Sequence, residues 1–297
     1  MAAAPCPSRP RGLLVERLGT FAPGLLLAVA VLFSGLALAD GSALDASRLQ
    51  LQSAAVLVVD DRGRRFYAKS SFDVKPIASI TKLMTAMVVL DAGVPLGERI
   101  TITEADRDRL RHSRSRLRTN RATLTREELL TVALMSSDNR AAAAMGRTTF
   151  AGGTPAFVAA MNRKAGELGM HESQFADASG LDAANRSTAE DLARLLWAAM
   201  RYPLIRRATT RASMEVSPYP GGATLQYRNT NPLVKNANPD WTIGLSKTGY
   251  INEAGRCLVM HTEFNGTPTV LVLLNSFGKL TPFGDANRVR KWIERGV

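Results

Sequence analysis

Short apolar runs bounded by polar turns occur near both ends of the chain. Residues 54–59 form a short apolar run that ends at a polar turn, and polar and apolar residues then alternate up to residue 70. This pattern predicts a β-hairpin. Near the C-terminus the same reasoning predicts three more strands, at residues 244–250, 257–264 and 267–274. Asn265 and Gly266 separate the last two, and this dipeptide favours a tight hairpin turn.

Between these two β regions the apolar positions recur at helical spacing. They predict helices over residues 83–90, 129–134, 188–200 and 285–293. A capping box formed by Thr125 and Glu128 precedes the second of them. Strands at both ends with helices between them do not follow the alternating order of a parallel sheet. We therefore expect an α/β protein of the α+β type, in which one antiparallel sheet is assembled from both termini and a helical subdomain lies between.

The first forty residues have the pattern of an export signal. Three arginines precede residues 24–39, an apolar run of 16 residues, which is shorter than the roughly 20 needed to span a membrane. The run ends in Ala37-Leu38-Ala39, the small-residue pattern that a signal peptidase cleaves. We predict a cleaved secretory signal over residues 1–39 and one catalytic domain over residues 40–297. An uncleaved membrane anchor remains the alternative.

Composition narrows the classes of function. The net charge of +12 becomes +10 once residues 1–39, with three Arg and one Glu, are removed. A hydrophobic content of 45% excludes wholesale disorder. Two cysteines exclude a disulfide scaffold, and three histidines without metal-ligand spacing argue against a zinc hydrolase. Cys257, which remains after cleavage, lies in an apolar segment and is interpreted as a small buried hydrophobic residue.

The first candidate motif is Ser79-Ile80-Thr81-Lys82, which follows Pro76. Residues three apart lie on the same face of a helix, so the Lys82 ammonium can reach the Ser79 hydroxyl. A serine becomes a nucleophile when a neighbouring base takes its proton, and a lysine can be that base when burial lowers its pKa. Taken alone, this motif more often describes a capping serine and a surface lysine.

Two further motifs follow along the chain. Ser137-Asp138-Asn139 is predicted at a bend after a helix, where a hydroxyl and an amide two positions apart can both point into a cleft. Lys247-Thr248-Gly249 lies on a predicted strand, where a cation and a hydroxyl can hold an anionic group and glycine permits close approach of a substrate backbone. Each motif alone also fits a polar turn or an edge strand. Their combination and order are specific.

The three motifs together are typical of class A β-lactamases and penicillin-binding proteins. The chain resembles the D-alanyl-D-alanine carboxypeptidases and endopeptidases, the low-molecular-weight penicillin-binding proteins of serine peptidase family S11. The resemblance extends from about residue 54 to the C-terminus and is greatest to the short endopeptidase branch. It is carried by residues 77–87, 133–142 and 246–260. It implies a β-lactamase/penicillin-binding transpeptidase-like fold and a periplasmic location.

The resemblance also implies roles for individual residues. Ser79 would attack a D-alanyl carbonyl to form an acyl-enzyme, Lys82 would accept its proton, and Ser137 would relay the proton to the leaving amine. The remaining roles are substrate amide binding by Asn139, substrate binding by Lys247, Thr248 and Gly249, and an oxyanion hole made by the backbone N–H groups of Ser79 and Tyr250. No metal or organic cofactor is implied. The implied partners are peptidoglycan stem peptides and cross-links, with β-lactams as covalent inhibitors.

The alternatives share this chemistry and differ in substrate. A class A β-lactamase carries Glu-x-x-Leu-Asn after the second motif, and the segments that begin at Glu167 and Glu172 lack it. A D-Ala-D-Ala carboxypeptidase would use the same residues, but the 48 residues after Gly249 leave no room for the extra domain of larger carboxypeptidases. We therefore expect an endopeptidase that cuts D-Ala-meso-diaminopimelate cross-links, with the carboxypeptidase as alternative. An inactive peptidoglycan-binding scaffold would need neither Lys82 nor Ser137.

Two basic segments have more than one interpretation. Residues 106–121 contain seven arginines and no aromatic residue on which bases could stack, and export argues further against nucleic acid. This segment is either a solvated loop or a surface that binds the acidic cell wall. Residues 288–295 resemble a basic membrane helix, but Val289, Trp292 and Ile293 more simply pack it on the sheet. We expect no nucleic-acid partner and no stable membrane span after signal cleavage.

Overall fold

The computed structural model describes residues 45–296, so the predicted signal peptide and its cleavage site lie outside the described residues. The strands are β1 (Ala55–Asp60), β2 (Arg65–Lys69), β3 (Lys75–Pro76), β4 (Arg99–Thr101), β5 (Thr123–Thr125), β6 (Arg186–Ser187), β7 (Ser213–Val216), β8 (Leu225–Arg228), β9 (Ile243–Ile251), β10 (Gly255–Phe264) and β11 (Thr267–Ser276). The helices are α1 (Thr81–Asp91), α2 (Arg126–Met135), α3 (Asn139–Thr148), α4 (Gly153–Glu167), α5 (Ala189–Ala199), α6 (Pro203–Thr210), α7 (Pro232–Lys235) and α8 (Thr281–Arg295). Short 3-10 turns occur at Ala46–Arg48, Ala78–Ile80 and Glu104–Asp106.

Five strands form one antiparallel sheet in the order β2-β1-β11-β10-β9. β1 pairs with the last strand, with Ala55 opposite Leu274, so the two ends of the domain meet inside the sheet. The turn between β10 and β11 has positive φ at both Asn265 and Gly266, as a type I′ hairpin requires. The predicted sheet from both termini and its tight turn are confirmed. β9, which carries the third motif, is an edge strand.

The sheet is buried on both faces. Residues 270, 272 and 274 of β11 belong to a core shared with the helical subdomain, whereas residues 271 and 273 belong to a second core that includes α8. All six residues of β1 are buried as well. Burial on both faces explains why the central strands are continuous apolar runs rather than alternating ones. The other strand pairs, β3 with β6, β4 with β5 and β7 with β8, are short.

Helix α1 lies at the centre of the helical subdomain. Residues 81–89 are all buried, because α1 contacts α2, α3, α4 and α5 as well as the turn before it. The sequence pattern identified one apolar face of this helix but not its burial on every side. Lys82 belongs to the buried stretch and is 1% exposed. A charged side chain in such a place must find partners or lose its charge.

The other helices differ in how well the sequence marks them. The capping box of Thr125 and Glu128 precedes α2, as expected, and α5 begins after its N-cap, Thr188. α8 begins at Thr281, earlier than the predicted residue 285. The predicted helices do not include α3, α4 or α6. In α3 polar and apolar residues do separate onto two faces, but the apolar face is made mainly of alanines instead of large apolar residues.

Helix α8 packs on the sheet face opposite the helical subdomain. Val289 and Ile293 are buried in the second core, and Trp292 Nε1 donates to the carbonyl of Asp45 at 3.0 Å. Asp285, fully buried, accepts from the Ser53 backbone N–H at 2.7 Å. These contacts confirm that α8 packs on the sheet. Within residues 45–296 no helix is long and apolar enough to cross a membrane.

Candidate active site

The three motifs lie around one cleft of about 300 Å³. Ser79 lies in the 3-10 turn before α1, Ser137 at the bend between α2 and α3, and Lys247 on β9. The cleft is lined by Ser79, Ser137, Asn139, Thr230, Thr248, Gly249, Tyr250, Arg256, Cys257, Lys279, Pro282 and Phe283. Lys82 and Lys247 are 1% exposed and contact residues of this lining. The fold thus brings together all the residues that the sequence predicted for the site.

Lys82 is held by three oxygen atoms from separate parts of the chain. Its Nζ donates to Ser79 Oγ at 2.8 Å, to Asn139 Oδ1 at 2.7 Å and to the carbonyl of Ser179 at 2.6 Å. The Ser79 contact runs within one turn, because these residues are three positions apart. The other two contacts hold the amine in place beside the serine hydroxyl.

Burial lowers the pKa of Lys82 to about 8, although the carboxylates of Asp177 and Asp138 act in the opposite direction. A lysine with this pKa is neutral in roughly one molecule in ten at pH 7. The neutral amine can accept the Ser79 proton across the same 2.8 Å contact. Lys82 therefore meets the condition for a lysine base, a pKa lowered by burial.

Lys247 is the second buried lysine. Its Nζ donates to Ser137 Oγ at 2.9 Å and to the Thr248 carbonyl at 2.8 Å. Burial and the positive charge of Lys82 lower the pKa of Lys247 well below its ordinary value. Because the two ammonium groups disfavour each other, an anionic group that entered the cleft would stabilise the charge on both.

A strained bend precedes α3. Ser137 has φ of 61°, in the left-handed region that non-glycine residues rarely adopt. The next residue, Asp138, is the N-cap of α3, and its Oδ1 accepts from the Ala141 N–H at 3.0 Å. Burial raises the pKa of Asp138, while the hydrogen bonds from Ala141 and Ser115 lower it.

This bend connects the two lysines. The Ser137 hydroxyl accepts from Lys247 and the Asn139 side-chain carbonyl accepts from Lys82, so residues two apart in sequence contact different cations. The prediction that a hydroxyl and an amide at this bend share one cleft is confirmed in its geometry. Their separate roles in proton relay and substrate binding stay predictions.

Ser113 is a further site residue, which the motifs did not reveal. Asn139 Nδ2 donates to Ser113 Oγ at 2.8 Å, which leaves Asn139 Oδ1 for Lys82. The Ser113 N–H itself donates to Asp108 Oδ2 at 2.7 Å. Serine and arginine alternate at residues 113–116. This alternation does not indicate a contact with Asn139, which only the fold brings next to Ser113.

Two arginines of the same segment hold it to neighbouring parts of the fold. Arg111 Nε donates to the Leu181 carbonyl at 2.5 Å, and the guanidinium pairs with Glu253 at 2.9 Å. Arg116 donates to the Gln226 carbonyl at 2.5 Å. Arg111 is half-buried, so the interpretation of the segment as a solvated loop is wrong for this side chain, whereas Arg116 is exposed and fits it.

A turn at residues 177–182 supplies the third partner of Lys82. The Asp177 carboxylate accepts from three backbone N–H groups in the turn, at 2.5, 2.5 and 2.7 Å. These bonds fix the turn and direct the Ser179 carbonyl toward Lys82. An aspartate that binds backbone N–H groups two or more residues ahead is a common turn device.

Two glycines allow close approach to the turn that carries Ser79. At Gly180, where φ is +80°, a Cβ would lie 2.0 Å from the Ala78 carbonyl oxygen. At Gly249 a Cβ would lie 2.9 Å from the Ile77 carbonyl oxygen and 3.3 Å from the Ser79 nitrogen. A close approach at Gly249 therefore exists, but its partner in the structure is the chain's own turn. Contact between Gly249 and a substrate stays a prediction.

Cys257 is a small buried residue, as expected. It is 2% exposed, its thiol donates to the Ala254 carbonyl at 3.5 Å, and burial raises its pKa to about 11. A thiol with a raised pKa is a poor nucleophile at neutral pH. Among the residues that the structure describes, no group of three or more His, Cys, Asp or Glu side chains is placed to hold a metal ion.

The chain is similar to known peptidases. A family model described as D-alanyl-D-alanine carboxypeptidase, peptidase S11, matches residues 42–278. The D-alanyl-D-alanine endopeptidase of Escherichia coli (strain K12) is 44% identical over 283 residues, which are 94% of this chain and 89% of that protein. The D-alanyl-D-alanine endopeptidase of Pseudomonas aeruginosa is 46% identical over 248 residues, 83% of this chain and 79% of that protein.

A solved structure is similar in fold. Penicillin-binding protein D2 from Listeria monocytogenes, in its ampicillin-bound form, superposes with a TM-score of 0.69 at 26% sequence identity. The superposition covers 82% of this chain and 98% of that one. The sheet assembled from both termini and the helical subdomain thus correspond to a known architecture.

Proposed function

The chain belongs to the D-alanyl-D-alanine carboxypeptidase family, peptidase S11, and we propose that it acts as an endopeptidase on the D-alanyl cross-links of peptidoglycan. It is a serine DD-peptidase with a penicillin-binding transpeptidase-like fold. The proposed residue roles rest on one observation, the environment of Lys82. This lysine is 1% exposed, has a lowered pKa and lies 2.8 Å from the Ser79 hydroxyl. A serine nucleophile activated by lysine needs this arrangement.

The first step of the proposed reaction is acylation. Neutral Lys82 takes the Ser79 proton as the serine oxygen attacks the carbonyl carbon of a D-alanyl residue. A bond forms between Oγ and that carbon, and the carbonyl oxygen becomes negatively charged. The backbone N–H groups of Ser79 and Tyr250, residues that both line the cleft, are proposed to stabilise this charge.

The second half of acylation expels the amine. The carbon–nitrogen bond breaks, and the leaving nitrogen takes a proton that Ser137 relays. Support for this relay comes from the Ser137 hydroxyl, which lines the cleft and accepts a hydrogen bond from Lys247. Water then attacks the ester carbon with Lys82 as base, and the acid product leaves with Ser79 restored.

Substrate binding is proposed to involve the strand and the bend. Lys247 and Thr248 would hold the carboxylate next to the scissile amide, with Gly249 beside them. Thr248 Oγ1 donates to Thr230 Oγ1 at 2.6 Å, and Thr230 adds a second hydroxyl to the same wall. Asn139 would bind an amide of the acyl chain. Its side-chain atoms contact other residues in this structure, so a substrate amide must share or replace one of these contacts.

One observation favours an endopeptidase over a carboxypeptidase: the relatives at 44% and 46% identity are named D-alanyl-D-alanine endopeptidases. The proposed bond is the one between D-alanine and meso-diaminopimelate in a cross-link, and trimming of pentapeptides remains the second candidate.

The proposed location and inhibitors follow from the same assignment. A periplasmic site of action is supported by the pattern predicted for residues 1–39 and by the family, whose members act on the cell wall. Covalent inhibition by β-lactams is supported by the ampicillin-bound form of the similar penicillin-binding protein. A β-lactam would acylate Ser79 as a peptide does.

The experiment compares two substrates with purified protein. Cross-linked muropeptide dimers and monomeric pentapeptides are incubated separately, and the products are separated by chromatography. We expect dimers to be converted into monomers, with loss of this activity and of labelling by fluorescent penicillin in Ser79→Ala. Trimming of pentapeptides with intact dimers would establish the carboxypeptidase instead. A folded wild-type protein that takes no label would contradict the enzyme assignment.

A matched pair of variants tests the relay. Ser137→Ala is expected to slow cleavage strongly, because the leaving amine loses its proton donor. Ser136→Ala removes the neighbouring hydroxyl, which bonds to the Val132 carbonyl at 2.8 Å within its own helix. Equal losses of activity in both variants would show that each serine is needed for the stability of the bend. The support for a proton relay by Ser137 would then be lost.

A further inference from the structure

Two cations line the cleft without a carboxylate partner. Arg256 and Lys279 belong to the same lining as Ser79 and Ser137. Among residues 45–296, neither side chain takes part in an ion pair or a side-chain hydrogen bond. Glu253, the carboxylate closest to Arg256 in sequence, pairs with Arg111 at 2.9 Å instead. The positive charge at this part of the cleft is therefore available to a ligand.

Arg256 is held in place by an aromatic ring. Its guanidinium carbon lies 3.6 Å from the centroid of the Tyr250 ring, and the two residues face each other across the β9–β10 ladder. The Tyr250 hydroxyl donates to Asn252 Oδ1 at 2.9 Å, which restrains the ring. Stacking uses the face of the guanidinium and leaves its N–H edge free. That edge matches the two oxygen atoms of a carboxylate.

Lys279 reaches the same cleft from the segment between β11 and α8. It is exposed, and so are its neighbours Phe277 and Leu280. This segment therefore directs its side chains outward instead of packing them into either core. An ammonium group on a flexible stem complements a fixed guanidinium, because it can follow an anion whose position varies.

We propose that Arg256 and Lys279 form a second carboxylate subsite, separate from the one assigned to Lys247 and Thr248. The inference rests on the proposed function, because its ligand is a stem peptide in the cleft. A cross-linked substrate carries one carboxylate next to the scissile amide and further carboxylates along both stems. Binding one of the remote carboxylates orients the extended chain over Ser79 and raises kcat/KM for charged stems.

The test measures how strongly the protein prefers a substrate with free remote carboxylates over one in which they are amidated. Muropeptide dimers are prepared with free remote carboxylates and with the same groups amidated, and kcat/KM is measured for each. We expect wild type to prefer the free form about tenfold, since hydrogen bonds to charged groups are strong. The double variant Arg256→Gln, Lys279→Gln should lose this preference, and Arg256→Lys should keep part of it. Melting temperatures check that each variant is folded.

Arg62→Gln is the matched control, because Arg62 is exposed in the turn between β1 and β2 and does not line the cleft. It should keep the full preference. If wild type, this control and the double variant all show the same preference, the subsite is overturned while cleavage that depends on Ser79 persists. Failure of wild type to cleave either dimer would overturn the proposed function and the subsite with it.

The source of the carboxylate is resolved with a second substrate pair. Monomeric pentapeptides with free and amidated side carboxylates contain only the stem that acylates Ser79. If the double variant loses the preference for free carboxylates on dimers alone, the bound carboxylate belongs to the stem that leaves as the amine. If the double variant loses the preference on both substrates, the bound carboxylate belongs to the stem that acylates Ser79. Either result supports the subsite.

Discussion

The floor and the rim of the cleft both carry positive charge, but in opposite surroundings. At the floor, Lys82 and Lys247 are 1% exposed, and each ammonium donates to at least two oxygen atoms. At the rim, Arg256 and Lys279 line the open side without any carboxylate partner among residues 45–296.

Burial accounts for the difference between these two regions. It lowers the pKa of both floor lysines, so that Lys82 can give up its proton near neutral pH. Arg256 is only half-buried, and its guanidinium stacks on the Tyr250 ring with its N–H edge free. The same sign of charge therefore serves proton transfer at the floor and anion recognition at the rim.

Removal of the floor base should have the largest effect. Lys82→Ala leaves Ser79 without a proton acceptor, and we expect the rate of acylation by fluorescent penicillin to fall about a thousandfold. Lys69→Ala is the matched control, because Lys69 Nζ also donates to two carbonyls, those of Leu51 and Ser53 at 3.0 Å, but away from the cleft. A similar loss of acylation rate in the control would contradict the assignment of Lys82 as the base, because any hydrogen-bonded lysine would then have the same effect.

Displacement of the floor backbone should have the next largest effect. In Gly180→Ala the new Cβ would meet the Ala78 carbonyl at 2.0 Å, so the turn that carries Ser79 must shift. A displacement of about 1 Å at a reacting group costs on the order of a hundredfold in rate. Acylation rates and melting temperatures should both fall. Gly166→Ala, in helix α4 with open space around it, should keep the rate and leave stability equal or higher.

The smallest expected difference between floor and rim is in how the acylation rate and the carboxylate preference depend on pH. Only the neutral form of Lys82 can act as base, so the acylation rate should rise about tenfold per pH unit below its pKa of about 8 and then level off. The preference for free remote carboxylates, which depends on the rim, should stay constant over the same range. An acylation rate that is flat between about pH 6 and pH 9 would contradict the assignment of Lys82 as base.

The sequence was informative where a role depends on the identity of a side chain. Ser79, Lys82, Ser137 and Lys247 could be named because their hydroxyl and amine groups belong to motifs in a specific order. The strands β1 and β9–β11 could be predicted because apolar runs and a turn dipeptide mark them. Residue roles in the reaction came from resemblance to a family rather than from the pattern itself.

Contributions from the backbone could not be predicted in the same way. Ser179 contributes its carbonyl oxygen to Lys82, and every residue has a carbonyl, so no letter of the sequence marks the contact. Ser113 was hidden because its hydroxyl acts on Asn139, 26 residues away, and only the fold brings them together. Helix α3 was missed because its apolar face consists mainly of alanines and has few large apolar side chains.

The pairing of β1 with β11 sets the order of events as the chain folds. The Ser53 backbone N–H bonds to Asp285, 232 residues further along, and contacts so distant in sequence make folding slow. Until the last strand is available, β1 has one edge without its native partner and apolar side chains on both faces. β9, which supplies Lys247, belongs to the same late part of the chain. We therefore expect a polypeptide that ends before β11 to lack a complete central sheet, and with it a working cleft.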